Sequence, residues 1–253
     1  MKNIFVFIIL LLGCNIFAVD QQIIDTYNSC SFKHKPVVNQ YTSSERDSVK
    51  SFLEGEWLEK TYYDELVKTK SPLKALKNST SYEYILFFTD RKDDNVLGII
   101  MLDGFHLSNY GQLVIEKMNK EHTFFFDNNG SGVTIIGNGE LKYQNISYIK
   151  CTPLESVLNS IIIAGTYVNQ SDSTIGKVKF NVDGTFEGFG EKTTYEINTD
   201  PFTGDSDIII MGNGNDYAFE VSKNCLYLYE AKDLENSPSL IKGKLVCKLT
   251  KER

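Results

Sequence analysis

The apolar positions along the chain change period several times, and each change marks an element. Ile4 to Leu12 form nine apolar residues without a break. From residue 20 to 43 Gln, Asn, Ser, Thr and Lys dominate and no period is sustained. Val49, Phe52 and Leu53 then recur at spacings of three and four, the stripe of a short amphipathic helix. Ser44 stands where its cap would sit, with Asp47 three residues on, and Gly55 ends it. Glu56 to Lys60 predicts a first strand around Trp57, the only tryptophan. Thr61 opens a second helix with Tyr62 and Leu66 on one face. Ser71 as cap and Pro72 at the first helical position open a third, with Leu73 and Leu76 on one side.

From Ser81 the period falls to two. Tyr82–Phe88 is apolar on nearly both faces, and Val96–Asp103 follows a polar turn. Further strands are predicted at 112–118, 122–126, 133–136, 140–143 and 146–150. Cys151-Thr152-Pro153 precedes a less regular piece to Asn159, and the run from Ile161 to Val168 repeats the shape of the opening around Trp57. Val178, Phe180 and Val182 alternate with polar residues up to Asp183-Gly184. A two-residue turn there would pair Phe180 with Glu187 and mix the faces. A three-residue loop, Val182-Asp183-Gly184, pairs Asn181 with Thr185 and Phe180 with Phe186, and puts Gly184 in the left-handed position. Tyr195 and Ile197, Ile208–Met211, Tyr217–Val221, Cys225–Glu230 and Lys244–Thr250 continue the meander. Roughly a dozen strands at a spacing of about 8–12 residues predict a mainly β chain of barrel or sandwich type.

Composition adds the compartment. A run of nine apolar residues behind Lys2 is too short for a span of about 20 residues and suits a secretory signal. Two processing sites compete. Ala18 precedes Val19 as a signal peptidase prefers, so 1–18 is the expected signal and 19–44 a flexible leader. Leu11-Leu12-Gly13-Cys14 resembles a bacterial lipobox, which would lipidate Cys14. Either route takes the chain to the periplasm, envelope or exterior. The net charge of −7 becomes one unit more negative when Lys2 leaves with the signal. Only Arg46, Arg91 and Arg253 could read phosphate as guanidinium, so nucleic acid is not an expected partner. Membrane contact is expected only through an anchor at Cys14.

Catalytic patterns are sparse. His34, His106 and His122 are not at metal-ligand spacing, and no nucleophile elbow, phosphate loop or zinc-protease helix occurs. No enzyme activity, metal or cofactor is expected. Asp200, Asp205 and Asp207 crowd one loop, which reads as a turn before it reads as a calcium site. Cys30, Cys151, Cys225 and Cys247 are the cysteines beyond the signal. Symmetric pairing of the last two strands about residue 236 would set Cys225 opposite Cys247, at a spacing that permits a disulfide.

Gly55-Glu56-Trp57, two short helices to about Lys77, and then a strand meander: this order resembles the calycin superfamily, which includes lipocalins and fatty-acid-binding proteins. The resemblance covers about residues 45–253. It implies an antiparallel meandering β-barrel with a two-helix insertion after the first strand, Trp57 packed at its closed end, and an apolar or amphipathic ligand inside. The residues expected to line that interior are Trp57, Tyr84, Phe88, Tyr167, Phe180, Phe186, Tyr217 and Phe219. In lipocalins an arginine of the last strand often stacks on the tryptophan; here the last strand offers Lys248. Gly165-Thr166-Tyr167 repeats the opening motif, which leaves open two β units, 45–158 and 159–253, in place of one barrel. Two functions stand: a non-enzymatic envelope protein binding a small apolar molecule, or a filled barrel that meets a partner through its surface.

Overall fold

The computed structural model describes residues 42–79, 83–89, 96–103, 106–114, 123–126, 132–137, 139–169, 176–199, 205–233 and 240–252. The expected signal, Cys14, Cys30, nearly all of the leader, His34, His122 and Asp200 lie outside them.

Helix α1 (Ser43–Leu53) buries Val49 and Leu53. Its cap is Thr42, not Ser44. The Thr42 hydroxyl accepts from Glu45 N–H at 3.3 Å, and the Glu45 carboxylate accepts from Thr42 N–H at 3.0 Å. The longer Glu side chain can close this reciprocal box. Strand β1 (Gly55–Glu59) carries Trp57 and is followed by α2 (Lys60–Thr69) and α3 (Pro72–Leu76). Ser71 caps α3 as the sequence predicts, accepting from Lys74 N–H at 3.2 Å, with Pro72 in the first turn.

The strands then run β2 (Tyr84–Thr89), β3 (Val96–Asp103), β4 (His106–Val114), β5 (Thr123–Phe126), β6 (Gly132–Gly137), β7 (Glu140–Tyr143) and β8 (Ile146–Lys150). β4 begins at His106, ahead of the expected Gln112. Next comes α4 (Leu154–Ile162), where the sequence reading expected a less regular piece to Asn159. Leu154, Leu158 and Ile162 recur every four residues and are buried, so the stretch is an amphipathic helix. The second set is β9 (Gly165–Asn169), β10 (Lys177–Phe180), β11 (Thr185–Gly188), β12 (Glu191–Asn198), β13 (Asp207–Met211), β14 (Tyr217–Ser222), β15 (Cys225–Asp233) and β16 (Leu240–Lys251).

The fold is mainly β, and its strands close antiparallel rings. One ring runs β1 to β8 in chain order; the other runs β9 to β16, with β16 returning to β9. Each ring begins on a Gly-x-aromatic, Gly55-Glu56-Trp57 in β1 and Gly165-Thr166-Tyr167 in β9. Each is preceded by an amphipathic helix, α1 or α4. The two-helix insertion, α2 and α3, follows β1 and has no counterpart after β9 among the described residues. By compactness the described residues fall into two units. Of the described residues, those within 42–55, 86–101 and 108–145 belong to one, and those within 56–85, 102–107 and 146–252 to the other. The contacts below lie inside the second unit except where Phe88 is concerned.

The register of the β10–β11 hairpin follows the three-residue loop. Phe180 pairs with Phe186, and Asn181 N–H donates to Thr185 O at 2.8 Å.

Candidate functional site

Trp57 is fully buried, and its cross-strand partner on β8 is Lys150. The Lys150 ammonium lies 5.6 Å from the centroid of the indole. Tyr167 holds the same place on β9. Its partner on β16 is Lys251, whose ammonium lies 5.8 Å from the ring centroid and donates to Ala164 O at 2.6 Å. Gly165 has φ +149°, a conformation an L side chain rarely adopts, and a Cβ there would also displace the flexible end of Lys251. The expected base, Lys248, instead stands over Tyr227 at 5.7 Å on β15.

Of the eight residues expected to line an interior, Tyr167, Phe180 and Phe186 come together. Phe180 is the centre: Phe186 lies at 4.9 Å, Tyr195 at 5.1 Å and edge-on, and Tyr167 at 5.9 Å and edge-on. Alternation placed these side chains on one face; Tyr195, equally placed by period, was left out of the expected set. The tyrosine hydroxyls turn to backbone, Tyr167 donating to Ile163 O at 2.7 Å and Tyr195 to Asn181 O at 2.6 Å. Burial pushes the Tyr167 phenol up to about 12. Phe219 is buried on β14 and Tyr217 half-buried. Phe88, in the other unit, lies so close to Gly98 that a Cβ there would enter its ring. Tyr84 is buried and donates to the Glu56 carboxylate at 3.2 Å.

Sequence reasoning missed two carboxylates that hold helices from a distance. Glu56, on β1, accepts from Leu154 N–H at 2.8 Å and so caps α4, whose own cap residue, Pro153, has no side-chain bond to give. Asp207, on β13, accepts from Leu73 N–H at 3.0 Å in the first turn of α3. Burial raises both carboxyls above their ordinary range, opposed at Glu56 by the bonds from Leu154 and Tyr84 and at Asp207 by those from Leu73 and Ser71. The Asp-rich loop of the sequence therefore supplies a helix cap. Cys151 sits nearby, buried, its N–H on Glu56 O at 2.8 Å; burial pushes its thiol up to about 12. A thiol held this way is a poor nucleophile at neutral pH.

A second acidic group surrounds the start of α4. Glu155 lies where a Cβ on Gly184 would fall 2.5 Å from its Oε1. Burial and the charge of Asp183 raise the Glu155 carboxyl. Glu196, on β12, is pushed up to about 7, first by burial and then by Glu155. Asn159, buried on α4, donates to Val182 O at 3.1 Å and fastens the helix to the β10–β11 loop. Among the described residues no group of three or more His, Cys, Asp or Glu side chains is arranged to hold a metal ion.

The proposed Cys225–Cys247 bridge is corrected. Cys225 pairs with Thr250 and Cys247 with Leu228, and both are free thiols, as is Cys151. Two register shifts, between Leu228 and Tyr229 and between Tyr229 and Ala231, put extra residues into β16. Symmetry about residue 236 fails for that reason, since each bulge slides the strand by one residue.

No protein-family model, no curated protein and no solved structure matches this chain.

Proposed function

We propose that the chain is an exported, non-enzymatic protein of lipocalin-like, calycin-type build, carrying the motif twice. The single observation behind this reading is the paired staple, Lys150 over Trp57 and Lys251 over Tyr167, each joining the last strand of a ring to its first. Lysine here takes the part that arginine plays in the lipocalins. Export is inferred from Ile4–Leu12 behind Lys2.

The β9–β16 ring serves as a filled interaction module. Its end beneath α4 is occupied by Phe180 with the rings of Tyr167, Phe186 and Tyr195 each packed against it, which suits a solid core more than the wall of a ligand cavity. The small-ligand reading rests on the calycin resemblance and on the buried Trp57 and Tyr84 of the β1–β8 ring. Native mass spectrometry of protein purified from its own host separates the two. A bare polypeptide mass supports the filled module; a co-purified apolar molecule overturns it in favour of the ligand carrier.

A further inference from the structure

The outer face of β15 and β16 carries a feature that neither the staples nor the helix caps use. Leu226, Leu228, Cys247 and Leu249 point into the ring and are buried. Tyr227, Tyr229 and Lys248 therefore face outward, with Tyr227 opposite Lys248 and Tyr229 opposite Leu245. The two bulges in β16 break the alternation just here. As a result Leu245 and Val246, successive residues, are both exposed, at 51% and 47%. A regular strand would have turned one of them inward.

The charge of this strip is opposite to that of the chain. From Leu240 to Thr250 β16 holds Lys242, Lys244 and Lys248 and no carboxylate, on a chain of net charge −7. Lys242 pairs with Glu220 and also stands 4.6 Å from the Tyr229 ring, and Lys248 covers Tyr227. Two protruding aliphatic side chains, two tyrosines beside them and lysines around them are the composition of a surface that enters the lipid headgroup layer. Aliphatic groups reach the acyl boundary, tyrosine rings lie at headgroup level, and lysines meet anionic phosphate. A protein partner fits less well, because lysine is depleted from protein–protein interfaces.

The geometry points to the outer face of β15–β16, centred on Leu245, Val246, Tyr227 and Tyr229 and rimmed by Lys244 and Lys248, as a docking surface for an anionic lipid bilayer. This deepens the reading of the β9–β16 ring as an interaction module and rests on it. It is separate from any anchor at Cys14.

The test is sedimentation of the chain from Val19 onward, which has no Cys14, with vesicles of phosphatidylcholine alone or with added phosphatidylglycerol. Binding is expected to the anionic vesicles and to weaken as salt screens the lysines. Lys244→Gln should lower the partition coefficient about fivefold, the value of roughly one lysine at an anionic surface. Leu245→Ser with Val246→Ser should lower it about tenfold or more by removing the inserted apolar area. Thermal unfolding of each variant confirms that these exposed changes leave the fold intact. Equal binding to neutral and anionic vesicles, or binding indifferent to both variants, overturns the proposal. So does a concentration-dependent dimer lost in the Leu245→Ser, Val246→Ser variant, which would make the face a contact between copies. None of these outcomes bears on a co-purified ligand, so this test can fail while the filled-module reading stands, and the reverse.

Discussion

Lys251 and Tyr167 are cross-strand partners, with the ammonium over the ring at 5.8 Å, and Lys150 and Trp57 repeat that relation at 5.6 Å. Each pair closes a ring by joining its last strand to its first. In each, the aromatic is buried and the lysine opposite it shares its face of the sheet, half-buried at Lys150 and exposed at Lys251. The same local solution at both starts argues that the Gly-x-aromatic motif is structural grammar of the ring opening.

Replacing Trp57 with Ala should therefore cost about 3–5 kcal/mol, as for large buried aromatics. Lys251→Ala should cost about 1 kcal/mol, combining a cation–π contact at an exposed site with the bond to Ala164 O. Urea denaturation reads both. A Trp57→Ala protein as stable as the parent would remove the seam from the account of stability.

Gly184 has φ +79°, where a β-branched residue is strained, and a Cβ there would press on the Glu155 carboxylate. Gly184→Val is expected to destabilise by about 1–3 kcal/mol, and Gly184→Ala by less. Adding Glu155→Ala to Gly184→Val relieves the side-chain clash but not the backbone strain, so part of the loss should return. If nothing returns in the double variant, the contact with α4 contributes nothing to the effect.

Such turn chemistry was legible because it is local. Asn181, Asp183 and Gly184 carry the hairpin loop in four residues, and Ser71-Pro72 carries the start of α3 in two. β7 and β8 fall where alternation put them, at Glu140–Tyr143 and Ile146–Lys150. What failed was set at long range. α4 has a helical stripe, but the Ile161-Ile162-Ile163 run favours β in isolation, and its cap is a carboxylate 98 positions away at Glu56. Asp207 looked like part of a turn because its partner, Leu73 N–H, lies 134 positions off. The basic partner of each aromatic depends on register, and register in β16 depends on bulges that local sequence does not announce. The aromatic set was readable from period two; which of its members touch was not.

The thiols give a chemical check on that register. Cys225 is half-buried near Thr250, with Sγ 3.8 Å from the hydroxyl, while Cys247 is buried inside the ring and its thiol is pushed up to about 11 by burial. Under native conditions an alkylating reagent should label Cys225 and spare Cys247 and Cys151; in denaturant all three should react. Recovery of a Cys225–Cys247 crosslinked peptide under non-reducing conditions would contradict the pairing of Cys247 with Leu228.

The acids around α4 make stability depend on pH in a direction opposite to that of salt-bridged carboxylates. Glu196 is raised from 4.5 to about 7, by burial first and by the Glu155 carboxylate second. Asp183, facing Glu155 from the β10–β11 loop, adds to the repulsion at Glu155, and bonds from the Thr185 hydroxyl and N–H, with a smaller contribution from Lys179, hold Asp183 below its ordinary range. In the unfolded chain Glu196 releases its proton near 4.5, while the folded chain holds it to about 7. The folded state therefore binds more protons through that window, and stability must fall as pH rises across it, then level off. Below about 4.5 the contribution of Glu196 is fully present; above about 7 it is gone. Glu56, Glu155, Asp207 and Asp216 are raised as well and slope the same way, so the difference between variants is the informative quantity. Glu196→Gln, which cannot ionise, should be more stable than the parent above neutrality and should flatten the slope between those two limits. Glu155→Gln should act in part through Glu196, by removing the neighbouring charge. Urea midpoints measured across that pH range for the parent and both variants decide it. If the Glu196→Gln curve runs parallel to the parent's, Glu196 titrates as an ordinary surface carboxylate, and the packing of β12 beneath α4 does not bury it as described.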